Sequence, residues 1–323
     1  MAGCGKTYLA GSRAISAWSQ LKREEGCGIS VHVPHKMFWK GKDMQEISDR
    51  DSNAVKQIFG INKVLIGMIH CPAFPGSPRY RGADMDTIYD TCMRDAEACV
   101  EGGLHGLVIE NHGDIPFSKP DDIGPETTGF MSVVTDRIAR AIGIPLGINV
   151  LANAPIPAFA IAMAGGAKFI RVNQWANAYV ANEGFMEGRA AEAMRYRSML
   201  RAEHIKVFAD SHVKHGSHAI VADRTIEELT RDIAFFDADG VIATGQRTGN
   251  TATVEEIEQI GSATHLPLLV GSGVNKDNIV EILRRTNGVI VASSLKHGGV
   301  WWNTVDIERV KAFRAAAEAG LEN

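Results

Sequence analysis

The residues of this chain that could do chemistry stand where short aliphatic runs break off. His70 ends the first run, Glu110 and His112 the second, Asn149 the third, Arg171 and Asn173 the fourth, and Asp210, His212 and Lys214 the fifth; Thr244 marks a milder break in the sixth. Glu110 and Asp210 suit a division of labour in which one carboxylate takes a proton and another group returns it, provided their surroundings separate their pKa values. Either acid could equally be half of an ion pair with Arg171 or Lys214. His212 and Lys214 add titratable groups beside Asp210, while His70, Asn149, Arg171, Asn173 and Thr244 offer donors and acceptors to a polar substrate. His70, Glu110, His112, Asp210 and His212 also provide the imidazoles and carboxylates from which a divalent cation is ligated. No HExxH-like spacing concentrates them, so the sequence requires no cofactor and leaves a divalent metal open. A Schiff-base lysine would have to face the pocket from within a strand. Lys168 lies at the wrong end of its strand, and Lys214 is already in a loop.

A second kind of chemistry is written in LPLLVGSGVNKDN from Leu266 and GVIVASSLKHGG from Gly288, where aliphatic runs stop at small residues. Gly271, Ser272 and Gly273 let backbone N–H groups approach an anion closely, and a following helix N-terminus would add its positive dipole end. Ser293 and Ser294 can do the same from the neighbouring run. A tight turn explains either loop taken alone, but two adjacent loops of this kind point to a phosphate or carboxylate site.

Both sets need a frame that brings run ends together. Eight runs read as strands: Lys63 to His70, Leu104 to His112, Ile144 to Val150, Ala167 to Asn173, Ile205 to His212, Asp239 to Gly245, Leu266 to Gly273 and Gly288 to Ser294. Amphipathic segments separate them. In TIYDTCMRDAEACVEGG the residues Ile88, Cys92, Ala96 and Val100 recur every four positions before Gly102 and Gly103, and Cys92 and Cys99 read as core positions. Thr225 reads as the cap of TIEELTRDIAFF, and VDIERVKAFRAAAEA closes the chain. Eight strand-helix repeats predict an α/β chain folded as a single (β/α)8 TIM barrel over residues 58–323, preceded by an N-terminal extension over residues 1–57. Trp301 and Trp302, just past the last strand, would line the pocket, form a subunit contact or pack in the core.

Composition narrows the partners. The chain has 323 residues, 45% hydrophobic and 22% charged, with a formal net charge of -4, which gives no reason to expect nucleic acid or an anionic membrane surface. No apolar run approaches a membrane span. Five cysteines without a CxxC pair or metal-ligand spacing favour a reducing compartment, and a cytoplasmic location is the expectation. The first 42 residues hold seven Lys or Arg against two acidic residues, so an organellar location is the alternative if this stretch is a transit peptide. GCGKT at Gly3 to Thr7 imitates the end of a P-loop but lacks the upstream glycine and strand that motif needs. The expected partner is a phosphorylated small molecule, with a homo-oligomer left open.

MIHCPAFPGSPRY from Met68, VIENHGDIPF from Val108, FIRVNQWANAY from Phe169, ADSHVKH from Ala209, ATGQRTG from Ala243 and VGSGV from Val270 together resemble the BtpA/SgcQ family, in order, from about Ile58 to Phe313. The resemblance implies a TIM barrel related in fold to the ribulose-phosphate-binding barrels, which include phosphoribosylanthranilate isomerase-like enzymes. With the residues above, it points to an enzyme acting on a sugar phosphate or nucleoside-derived phosphate by acid/base isomerase or lyase chemistry. One branch of the family takes its name from a role in accumulating photosystem I, which makes a non-catalytic assembly or stability factor the alternative; a metal-dependent hydrolase is another. The chain departs from the family pattern at Ala152, Asn153 and Ala154, where relatives tend to carry Arg-Asn-Asp. It departs again at ASSLKHGG, where relatives often carry a glycine-threonine pair, at the extra His218, and in its 60-residue leader.

Overall fold

The structure, a computed structural model, describes residues 53–245 and 251–321. The basic leader, its GCGKT pentapeptide and Gln246 to Gly249 of the ATGQRTG segment lie outside the described residues. Eight parallel strands close into a barrel: β1 (Val64–His70), β2 (Gly106–Glu110), β3 (Leu146–Asn149), β4 (Phe169–Val172), β7 (Lys206–Asp210), β8 (Gly240–Ala243), β9 (Leu268–Val270) and β10 (Gly288–Val291), with β10 pairing back onto β1. The eight expected strands are all present, and all but β1 stop short of the C-terminal end of the run containing them. The helices are α1 (Ala54–Phe59), α2 (Met85–Glu101), α3 (Pro125–Ala141), α4 (Pro155–Gly165), α5 (Ala190–Met199), α6 (Ile226–Phe235), α7 (Val254–Ala263), α8 (Ile279–Leu283) and α9 (Ile307–Leu321).

Period-two alternation divides the core in two. Ile66, Val108, Phe169, Phe208, Ile242 and Ile290 point inward and form one buried cluster, whereas Leu65, Leu107, Ile109, Ile170 and Val241 point outward under the helices in another. Phe169 and Phe208 meet edge-on at 5.5 Å and fill the barrel's waist. Gly147 on β3 makes room for them, since a Cβ there would lie 2.2 Å from the Phe169 ring.

The helices start where their sequences provide caps. Asp84 accepts from the Thr87 N–H at 2.8 Å and Thr225 from the Glu228 N–H at 3.3 Å, so the expected Thr225 cap is present. On α2 the buried stripe runs Ile88, Cys92, Asp95, Ala96 and Cys99. Val100 is only half-buried, because a spacing of four drifts off a face that turns every 3.6 residues. Two elements exceed the expected plan. Helix α1, capped by Asn53, buries Ala54 and Val55 against Val64 and Ile66, so the barrel's packing begins before residue 58. An antiparallel hairpin of β5 (Ala178–Ala181) and β6 (Gly184–Glu187) is inserted after β4.

Candidate functional site

Parallel register places four of the expected residues on one row. His70 pairs with Glu110, Glu110 with Asn149, and Asn149 with Arg171, across β1, β2, β3 and β4. Asp210 ends β7, two residues past the partner of Arg171. The row forms the floor of a cavity of about 650 Å³ at the C-terminal ends of the strands.

Each member of the floor is held by its neighbour. Glu110 accepts from Asn149 Nδ2 at 2.6 Å and from His112 Nδ1 at 2.9 Å. Burial alone would raise its pKa, but the His112 hydrogen bond and the positive charge around it, including Arg171, hold the carboxyl well below the usual range. His70 Nδ1 bonds the Trp301 carbonyl at 3.2 Å, and the His70 ring stacks on His112 at 4.3 Å. Burial lowers the His70 pKa to about 3, with His112 and Lys296 acting in the same sense and Glu110 opposing, so its imidazole is neutral at physiological pH. Arg171 donates to both oxygens of Asp210 at 3.0 Å, and Asn173 adds a third bond at 3.2 Å. Asp210 therefore lies behind Arg171 and does not line the cavity. The ion pair with Arg171 that the sequence left open for either acid is thus present for Asp210.

Lys214 lines the cavity although it follows β7, with Nζ 3.4 Å from Ser272 Oγ. Burial brings its pKa down to about 8, Arg171 adds to the fall, and Asp210 and Glu110 oppose it. His212 and Thr244 do not line the cavity. The His212 ring packs on His218 at 3.9 Å, and burial lowers its pKa to about 4. Thr244 is fully buried and donates to the His212 carbonyl at 3.0 Å, which fixes the loop after β7.

The opposite wall carries the two small-residue loops, Gly271 to Gly273 and Ser293 to Ser294. Gly271 commits its N–H to the Ala243 carbonyl at 2.8 Å, and its missing side chain admits Ile242, whose Cγ2 would lie 2.7 Å from a Cβ, with Arg171 Nη2 next at 3.3 Å. The N–H groups of Gly273, Ser293 and Ser294 meet no backbone acceptor among the described residues. Gly273, at φ +65°, adopts the left-handed conformation that favours glycine. Ser294 Oγ is committed to the Val274 carbonyl at 2.7 Å. The expected dipole contribution behind the first loop is not there, because α8 begins only at Ile279 and is five residues long.

Three contributors escaped the sequence reading. Asn182 and Glu183, at the hairpin tip, reach the cavity mouth. Arg309, on the first turn of α9, lines it beside Ser294, donates to that residue's carbonyl at 2.9 Å and joins no ion pair among the described residues. Nothing in its spacing within an amphipathic helix marks it out. Trp301 lines the cavity with its ring edge-on to His112 at 4.5 Å, while Trp302 is 70% exposed, so neither is a core residue.

Among the described residues no helix is long and apolar enough to cross a membrane. The sequence profile of the BtpA family matches residues 61–319. The chain is 36% identical over 255 residues to a Caenorhabditis elegans protein whose name places it in mitochondria, covering 77% of this chain and 91% of that one. It is 35% identical to the photosystem I biogenesis protein BtpA of Synechocystis sp., covering 83% and 92% of the two chains. Among solved structures it is similar to tryptophan synthase of Mycobacterium tuberculosis, with a TM-score of 0.51, 14% identity, and coverage of 84% of this chain and 97% of that one. At that identity the likeness is one of fold.

Proposed function

The chain belongs to the BtpA family, and from that premise we propose that it is an enzyme that binds a phosphorylated small metabolite, a sugar phosphate or nucleoside-derived phosphate, and moves a proton on it in an isomerase or lyase reaction. One observation carries the reading: a single cavity sets a row of titratable and hydrogen-bonding side chains against a rim of uncommitted backbone amides with Arg309 beside it. A phosphate at the rim would accept from the Gly273, Ser293 and Ser294 N–H groups, with Arg309 as counter-charge. That places the rest of the molecule over Arg171 and Glu110.

The proton is assigned to Lys214. A carboxylate held as low as Glu110 is a weak base, and Asp210 is reached only through Arg171. An amine near 8 is suited to taking and returning a proton around neutral pH. Asp210 and Asn173 then position Arg171, which grips a substrate oxygen. A role in assembly without catalysis is the second reading, favoured by the name of the Synechocystis relative. An organellar location likewise draws support from the mitochondrial relative.

A thermal-shift series with inorganic phosphate, sugar phosphates and nucleoside monophosphates tests the reading. We expect a rise in melting temperature for a subset of phosphorylated compounds, absent for their dephosphorylated counterparts. Ser293→Asp, which puts a negative charge on the rim, should abolish it. No shift with any member of the series, or an equal shift in Ser293→Asp, would sink the phosphate site and favour the assembly reading.

A further inference from the structure

We propose that His70, Glu110 and His112 bind one divalent cation of the zinc or cobalt class on the cavity floor. The tautomer of His70 is set from outside the cluster: Nδ1 faces the Trp301 carbonyl at 3.2 Å, an acceptor only, so Nδ1 carries the proton and Nε2 keeps its lone pair. Nε2 in turn faces Glu110 Oε1 at 3.7 Å. Two lone-pair atoms confront each other there with no proton between them, an arrangement that a cation relieves. His112 Nδ1 lies 2.9 Å from the same oxygen, and the ligand atoms of all three residues fall within 4.8 Å of one another. Metal bonds of about 2.1 Å in tetrahedral geometry separate ligand atoms by about 3.4 Å, so small side-chain rotations close the site. The His112 proton now bonded to Glu110 moves to Nε2 when the cation takes its place.

The supporting shell has the form metal sites require. The Trp301 carbonyl orients His70, and Asn149 Nδ2 orients Glu110 at 2.6 Å. Glu110 only accepts, so the Asn149 amide cannot be reversed, and its Oδ1 is left buried without a partner in a residue that lines the cavity. A buried acceptor in that position calls for a donor from the cavity, and water or a substrate hydroxyl on the cation supplies one. Two imidazoles and one carboxylate select a borderline cation over calcium or magnesium and leave coordination positions for an oxygen of the ligand. The cation deepens the proposed function by polarising the substrate beside Lys214, but its binding requires no substrate and stands or falls separately.

The test uses the full chain stripped with chelator, without any phosphorylated compound. Cobalt(II) is titrated by visible absorbance and zinc by calorimetry. We expect one ion per chain, a cobalt spectrum of the intense low-coordinate kind, more than tenfold weaker binding in His70→Gln and His112→Gln, and weaker binding by about tenfold in Asn149→Ala. His297→Gln, which alters an exposed imidazole elsewhere, should bind as the unaltered chain does. No binding by the folded chain, undiminished binding in both histidine variants, or a weak spectrum of octahedral oxygen ligation overturns the proposal. The spectrum decides it even if a variant does not fold. A bound cation without any phosphate-dependent thermal shift keeps this site and removes the phosphate reading; the converse result does the reverse.

Discussion

At the residue scale, Asp210 and Lys214 make opposite demands on burial. Asp210 meets Arg171 through two parallel bonds in a pair from which water is almost excluded. Asp210→Asn leaves a buried guanidinium without its counter-charge, so we expect a loss of about 3–5 kcal/mol of stability, measured by urea unfolding, together with loss of turnover. Lys214 carries its charge at a cost. Its pKa falls from 10.5 to about 8, so between those values the unfolded chain holds a proton that the folded chain lacks, and stability gains from rising pH across that window. Below pH 8 the penalty is complete. Lys214→Met should therefore be more stable than the parent at pH 7, with the advantage shrinking toward pH 10.5, and inactive throughout. Unfolding curves of both chains at pH 7, 9 and 10.5 check the sign; an advantage that grows with pH would refute it. That residues such as Glu110 and Asp210 end their strands was legible, because a polar side chain interrupting an aliphatic run is visible in one dimension. Which of them bond one another was not, since the Trp301 carbonyl reaches His70 across 231 positions.

At the scale of elements, the strands were legible because barrel strands are buried on both faces and read as continuous aliphatic runs. The β5–β6 hairpin was not, because its strands are four residues each, partly exposed and joined by polar Asn182 and Glu183, which look like loop. Helix α1 escaped for a related reason. Six residues are too few to display a periodicity, and only the barrel's open end shows why Val55 is apolar. Gly271 shows the limit of reading a motif by composition: its place in a glycine-serine loop suggested an anion, whereas the structure uses its small size to admit Ile242 and Arg171. Gly147 serves packing in the same way. Gly147→Ala should cost about 1–3 kcal/mol by driving a methyl group into the Phe169 ring, and Phe169→Leu in the same chain should recover part of it. Urea midpoints of the two single variants and the double variant measure this, and strictly additive losses would show that the two residues do not share the space.

At the scale of the whole molecule, the barrel separates duties by wall. Strands β1 to β4 supply the floor row, and the loops after β9 and β10 supply the rim, so floor and rim share one cavity only when the sheet is closed. The thermal shift expected for a phosphorylated ligand follows from that closure. Ligand at 100 times its Kd adds about 2.7 kcal/mol to the folded state, several degrees for a barrel of this size. Hydropathy along the chain reveals eight repeats but not this division, because the two walls come from opposite ends of the barrel's sequence.

The bond from His70 to the Trp301 carbonyl crosses the seam where β10 meets β1, and it is the contact that fixes the imidazole's tautomer. Histidine and tryptophan stand near opposite termini of the barrel. On the ribosome the first strand is therefore made long before the carbonyl that orients its last residue exists. On the function and cation site proposed above, a nascent chain would carry the parts of the site without its function until synthesis is nearly finished.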